Sequence, residues 1–113
     1  MAAKIKVLIV DDVVATRENI KKLMEFHPEF EAVGQAGTGE EALAQAKILN
    51  PDVVLMDINM PLINGFDTTK NIRDKGIQIP VIALTAFDKQ EVSEEAIAAG
   101  MNDILIKPFE PTK

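Results

Sequence analysis

The sequence predicts an α/β domain, in which helices cover both faces of a parallel sheet. Short apolar runs rich in β-branched residues recur five times along the chain. Segments whose apolar residues lie three or four positions apart, as on one face of a helix, separate these runs. Alternating strands and helices are typical of βα units in a parallel sheet. Right-handed crossovers would then bring the carboxyl ends of all the strands to the same edge.

Size and composition are those of one globular domain. The chain has 113 residues, of which 47% are hydrophobic and 27% charged. It has no cysteine, which excludes disulfides and thiolate metal sites and is compatible with the cytoplasm. No apolar run approaches the roughly 20 residues of a membrane span. The net charge of −6 opposes non-specific binding to nucleic acid. We therefore expect a cytoplasmic protein that binds neither membranes nor nucleic acid directly.

The first half of the chain predicts three strands and two helices. They are a strand at 5–10, a helix at about 14–26, a strand at 30–36, a helix that follows the capping box Thr38 to Glu41, and a strand at 53–56 that ends in Asp57. His27-Pro28 and Asn50-Pro51 end the two helices, because the residue before a proline disfavours the helical conformation.

The second half predicts two further helix and strand pairs. Asn64-Gly65 begins a helix that ends at Gly76, and a strand at 80–84 leads into Thr85. Asp88 begins a fourth helix, which Gly100 terminates. The last predicted strand, at 103–106, leads into Lys107.

Polar side chains follow four of the five predicted strands. Asp11 and Asp12 follow the first strand, Asp57 the third, Thr85 the fourth and Lys107 the fifth. Each alone has an ordinary explanation as a turn acid, a capping hydroxyl or a solvated lysine. Their shared position at the carboxyl edge, where open α/β sheets place their ligand sites, favours a functional site.

The residue types at this edge suit phosphoryl transfer. Three carboxylates close together repel one another, and a hard divalent cation such as Mg²⁺ removes that repulsion. A lysine adds a point charge for a phosphoryl group, and a hydroxyl can donate to a phosphoryl oxygen. A carboxylate nucleophile beside these groups makes a phosphoryl-accepting site.

These motifs together closely resemble the receiver domain of two-component response regulators. The motifs are Asp11-Asp12, Asp57 in Asp-Ile-Asn-Met-Pro, Asn64-Gly65, Thr85-Ala86 and Lys107-Pro108-Phe109. The resemblance covers nearly the whole chain, which we interpret as one receiver domain over 1–113. It implies a flavodoxin-like, doubly wound sheet of five parallel strands in the order 2-1-3-4-5.

The resemblance also implies a role for each site residue. Asp57 would take a phosphoryl group from a sensor histidine kinase or a phosphotransfer protein and so switch the conformation that controls an output. Asp12, Asp57 and the backbone carbonyl of Asn59 would bind Mg²⁺ (or Mn²⁺), with Asp11 acting mainly through water.

Three further residues would serve the phosphorylated state. Lys107 would pair with Asp57 or its phosphate, and Thr85 would be the switch hydroxyl, with the Ala86 amide nearby. Such a domain is not an enzyme in its own right, although it assists its own phosphorylation and dephosphorylation.

The sequence departs from the family's pattern at two places. Ile104 occupies the position, three before the lysine, where the family usually carries an aromatic switch residue. After Phe109 only four residues remain, so we expect four helices and no fifth. The first helix (Ile20, Leu23, Met24) would then lose part of its cover. A chain cut short, a naturally short module and a homodimer that buries this face are the alternatives; we favour a cut or engineered chain that associates through it.

Two rival functions remain open. One is an interaction module that has the receiver fold but is not phosphorylated; the intact set of acids, hydroxyl and lysine disfavours it. The other is a haloacid-dehalogenase-like phosphatase, which also forms an aspartyl phosphate with Mg²⁺. Here the second acid is replaced by Asn59, and 113 residues leave no room for a substrate cap.

Overall fold

The computed structural model describes residues 4–57, 65–85 and 89–106. Within them, five strands alternate with four helices, as predicted. The strands are β1 (Ile5–Val10), β2 (Phe30–Ala36), β3 (Val53–Asp57), β4 (Val81–Thr85) and β5 (Asp103–Ile106). The helices are α1 (Val14–Met24), α2 (Gly39–Leu49), α3 (Gly65–Asp74) and α4 (Lys89–Ala99).

The strands form one parallel sheet in the order β2-β1-β3-β4-β5. This order confirms the predicted flavodoxin-like topology. Asn64 and Asp88, which were predicted to begin α3 and α4, lie outside the described residues, as does everything after Ile106, so the prediction of a missing fifth helix stays a prediction.

Helices α2, α3 and α4 pack on one face of the sheet. Their buried residues Ala42, Ala46, Ile72 and Ala96 share one core with Leu8, Val10, Val54, Met56, Val81, Ala83 and Ile104. Helix α1 packs on the other face, where Ile20 and Met24 join Val7, Ile9 and Leu84. The domain is therefore doubly wound.

The two faces are covered unequally. In β3, Val54 and Met56 are fully buried on the first face, whereas Val53 and Leu55 on the second face are only half-buried. The run of four apolar residues at 53–56 predicts burial on both faces of this strand. The difference arises because α1, the helix described on the second face, packs mainly on β1 and β2.

The α1 residues that were predicted to lose a cover are buried to different degrees. Ile20 is buried against the sheet, whereas Leu23 is 41% exposed. Met24, at the end of the helix, is half-buried against the same core. Leu23 is thus the residue of the three that faces away from the sheet.

Local sequence determines most helix ends. The Thr38 hydroxyl accepts a hydrogen bond from the Glu41 amide at 3.1 Å, which confirms Thr38 as the N-cap. The Glu41 carboxylate reaches back to the amide of Gly37 rather than to that of Thr38, so the reciprocal bond of a capping box lies one residue earlier than predicted. Gly100 ends α4 with a φ of +101°, as a left-handed terminating residue should. Helix α1 ends at Met24, two residues earlier than predicted, because Phe26 and His27 donate to carbonyls three residues back and tighten the last turn. No helix within the described ranges is long and apolar enough to cross a membrane.

Candidate functional site at the carboxyl edge of the sheet

Two acidic residues lie side by side where β1 and β3 end. Val10 is the partner of Met56 in the last pair of this ladder, and Asp11 and Asp57 are the next residues of their chains. Neighbouring strands lie about 4.8 Å apart and side chains alternate between faces, so both carboxylates start from the same side of the sheet. Asp11 is 1% exposed and Asp57 3%. Carboxylates so buried need specific stabilisation, which is typical of a functional site.

The neighbouring strand brings a hydroxyl to the same edge. Leu84 of β4 is the partner of Asp57, and the fully buried Thr85 follows it. Asp12, directly after Asp11, is half-buried. The structure thus brings Asp11, Asp12, Asp57 and Thr85 to the carboxyl ends of three adjacent strands, as the sequence predicted.

Three predicted site residues, Asn59, Ala86 and Lys107, lie outside the described residues. Their roles stay predictions. Ile106, the residue before Lys107 in the sequence, is the last residue of β5.

Asp11 is fixed in place through three of its atoms. Its amide donates to the carbonyl of Ala36 at 3.0 Å, and its Oδ1 accepts from the amide of Val13 at 2.9 Å. Its carbonyl accepts from Nη1 of Arg17 at 2.6 Å, a short, charge-assisted hydrogen bond. The backbone of Asp11 is therefore bonded to both β2 and α1.

Sequence reasoning missed Arg17 and its partner on β2. Nε of Arg17 donates to Oε1 of Gln35 at 3.0 Å, so the guanidinium bridges the edge strand and the acidic loop. One signal was present in the sequence. Arg17 is the fourth residue of α1, near the helix N-terminus, where the helix dipole disfavours a cation. A cation there without acids in the first turn suggests a specific acceptor nearby.

The chemistry of the edge residues fits a hard cation. Asp11, Asp12 and Asp57 offer carboxylate oxygens only, and two of the three are shielded from bulk water. Within the ranges that the structure describes, no three Asp, Glu, His or Cys side chains are grouped as a self-sufficient metal cage. Mg²⁺ does not need such a cage, because it keeps several waters and is usually bound through one or two carboxylates.

The comparison with known families agrees with this geometry. The family described as the response regulator receiver domain matches residues 7–113. The chain belongs to this family, the receiver domains of two-component signalling, which are phosphoacceptor signalling domains and generally not enzymes.

Individual relatives support the same assignment. The chain is 39% identical over 108 residues to the chemotaxis protein CheY of Thermotoga maritima, a match that covers 96% of this chain and 89% of CheY. It is 36% identical to a nitrate/nitrite response regulator protein homolog of Haemophilus influenzae, over 98% of this chain but only 53% of that protein. The chain thus spans about half the length of that relative.

A solved structure shows the same fold. The crystal structure of the response regulator domain of Thermotoga maritima CheB superposes with a TM-score of 0.83 at 35% sequence identity. The superposition covers 94% of this chain and 80% of that one. The order of strands and helices described above is therefore that of a receiver domain.

Proposed function

We propose that this chain acts as one receiver domain and that Asp57 is its phosphoacceptor. The observation that carries the proposal is the burial of Asp57 beside Asp11 at the carboxyl edge of adjacent parallel strands, in a chain of the receiver family. In the proposed reaction, a carboxylate oxygen of Asp57 attacks the phosphorus of a phosphohistidine. The N–P bond breaks, its electron pair stays on the imidazole, and an aspartyl phosphate forms.

The other residues of the site are proposed to position and neutralise charge. Asp12, Asp57 and the Asn59 carbonyl would hold Mg²⁺ (or Mn²⁺), and Asp11 would hold it through water. The bound cation would neutralise part of the negative charge that builds up as the phosphoryl group approaches the carboxylates.

Lys107, Thr85 and Ala86 are proposed to read the phosphorylated state. Lys107 would place its ammonium at Asp57 and later at the phosphoryl oxygens. The Thr85 hydroxyl and the Ala86 amide would donate to those oxygens. The burial of Thr85, the residue after the strand partner of Asp57, supports this role.

The proposed donors are a sensor histidine kinase or a phosphotransfer protein, which would meet the domain in the cytoplasm. The domain would assist its own phosphorylation and dephosphorylation only. A receiver-fold interaction module without phosphorylation is the alternative function. It would retain the fold but would not need a buried acidic pair.

We further propose that the second face of the sheet mediates self-association. Leu23 of α1 and Leu105 of β5 are 41% and 44% exposed, and Leu55 between them is half-buried. Sedimentation equilibrium of the chain and of Leu105→Lys tests this. Association that weakens in the variant is expected, and a monomer at all concentrations would contradict it.

Intact mass spectrometry after incubation with acetyl phosphate tests the phosphoacceptor. We expect one phosphoryl adduct that needs Mg²⁺ and is absent in Asp57→Asn. Asp74→Asn, which changes an exposed acid at the end of α3, is the matched control and should keep the adduct. A folded chain without any adduct would instead support the interaction module.

A further inference from the structure

The guanidinium of Arg17 lies beyond the end of the edge strand β2, beside the backbone of Asp11. In an extended strand the N–H and C=O of one residue point to the same side, and the Asp11 amide points to β2, where it donates to Ala36. Strand β2 ends at Ala36. The Asp11 carbonyl therefore lies beyond the last residue of the strand that would have paired with it, and Nη1 of Arg17 donates to it instead.

The guanidinium itself is held by the edge strand. Gln35, whose side chain accepts from Nε of Arg17, also donates from Nε2 to Glu18 at 3.3 Å. The backbone carbonyl of Gln35 accepts from Nε2 of Gln45 in α2 at 2.7 Å. A Cβ on Gly37 would lie 3.0 Å from Nη1 of Arg17, so the chain leaves just enough space for the guanidinium.

The Asp11 carbonyl and the Asp12 amide belong to one planar peptide group. Holding the carbonyl oxygen with a charged donor therefore fixes the plane from which the Asp12 side chain starts. Asp12 is the residue that the proposed function assigns to direct cation binding. A rotation of this peptide would change the direction in which the Asp12 side chain leaves the backbone.

We propose that Arg17 is a positioning residue for the cation site: together with Gln35, it locks the Asp11–Asp12 peptide so that the Asp12 carboxylate faces a divalent cation. This inference rests on the proposed function, and it assigns Arg17 a role through backbone geometry rather than through charge. The two explanations predict opposite changes in the affinity for the cation. Loss of a nearby positive charge alone would strengthen cation binding, whereas loss of positioning weakens it.

Calorimetric titration with Mg²⁺, without any phosphoryl donor, separates these explanations. Arg17→Met should weaken Mg²⁺ binding about tenfold, the lower end of the effect of residues that orient metal ligands. Arg17→Lys should weaken it almost as much, because one ammonium cannot donate to both the Asp11 carbonyl and Gln35 as the planar fork does. Gln35→Met should also weaken Mg²⁺ binding, but by a smaller factor. Lys21→Met, an exposed cation on the same helix, should leave it unchanged.

A second readout concerns the metal-free protein. Hydrogen exchange at the Val13 amide, which donates to Asp11, should become faster in both Arg17 variants at unchanged far-UV circular dichroism. If Arg17→Met fails to fold, Arg17→Lys and Gln35→Met carry the test.

The inference is overturned if Arg17→Lys restores wild-type affinity, or if Arg17→Met binds Mg²⁺ as tightly as the unchanged chain or more tightly. A wild-type chain that binds no Mg²⁺ would contradict the proposed function as well. Wild-type binding combined with unaffected Arg17 and Gln35 variants would contradict the positioning role alone.

Discussion

Ile104 is a core residue at the position where the resemblance to receiver domains predicts an aromatic switch residue. It is 7% exposed, lies opposite Ala83 in the β4–β5 ladder and packs in the core beneath α2, α3 and α4. Close packing in this core disfavours rotation of the branched side chain to an exposed position. We therefore expect conformational signalling to bypass it and to use the loops and α4.

Ile104→Val should accordingly act on stability alone. Loss of one buried methylene group should lower the free energy of unfolding by about 1 kcal/mol, and the rate of Asp57 phosphorylation by acetyl phosphate should stay unchanged. Urea denaturation and intact mass measure the two quantities. Ile48→Val, at a position 79% exposed, is the control and should cost almost nothing. A large loss of phosphorylation in Ile104→Val would show that this side chain takes part in the switch.

The site residues differ in how well sequence could predict them. Asp11, Asp57 and Thr85 follow apolar strands directly, and parallel topology brings strand ends together, so their proximity follows from the pattern. Arg17 was missed because its acceptor is a backbone carbonyl. That carbonyl lies beyond Ala36, the last residue of β2, and the end of an edge strand is not encoded in the sequence around Arg17.

Among the elements, α2 has the end that local sequence defines most completely. The Thr38 hydroxyl accepts from Glu41, and Oε1 of Glu41 accepts from the Gly37 amide at 2.8 Å. Thr38→Ala should lower the free energy of unfolding by about 1 kcal/mol, since one amide of the first turn loses its acceptor. Thr38→Ser keeps the acceptor and should restore most of the loss in urea denaturation. Equal destabilisation by both substitutions would mean that the methyl group, not the cap, stabilises the helix.

Helix α3 is tied to the α4–β5 connection by a single arginine. Arg73 donates from Nη2 to the Gly100 carbonyl and to Oδ1 of Asn102, both at 2.8 Å, and from Nη1 to the Ile79 carbonyl at 2.8 Å. Partial burial lowers the pKa of its guanidinium through desolvation, so the hydrogen bonds must offset this cost.

Arg73→Met should therefore be more damaging than Thr38→Ala. Loss of several charge-assisted donors leaves carbonyls unsatisfied and should lower the free energy of unfolding by about 3 kcal/mol. Lys70→Met, an exposed cation on the same helix, is the matched control. A near-neutral Arg73→Met in urea denaturation would mean that water replaces the guanidinium at these carbonyls.

The sequence predicted where strands begin and end better than it predicted how far their residues are buried. Strand β2 and strand β5 begin and end where the pattern placed them. The half-burial of Val53 and Leu55 was not predictable from their own residue types, because it depends on which strands α1 covers. The end of α1 likewise depends on whether the amides before and at His27 donate to the carbonyl four residues back, as in an α-helix, or to the one three residues back.

For the whole molecule, the proposed cation site links Mg²⁺ to stability. A ligand that binds only the folded state stabilises it, by about 2.7 kcal/mol when its concentration is 100 times the dissociation constant. Thermal unfolding in saturating Mg²⁺ should thus occur at higher temperature than in a chelator with sodium chloride of equal ionic strength. The increment should shrink in Asp57→Asn. An equal increment in both proteins would reflect diffuse association of the divalent cation with a chain of net charge −6 rather than a site.

The chemical location of the phosphoryl group tests most directly whether Asp57 is the phosphoacceptor. Borohydride reduces an aspartyl phosphate to homoserine, which peptide mass spectrometry can assign to one position. After treatment with acetyl phosphate and Mg²⁺, we predict homoserine at position 57 and none when Mg²⁺ is withheld. Homoserine at position 11 or 12, or at no position in a folded chain, would contradict the assignment of Asp57 as the phosphoacceptor.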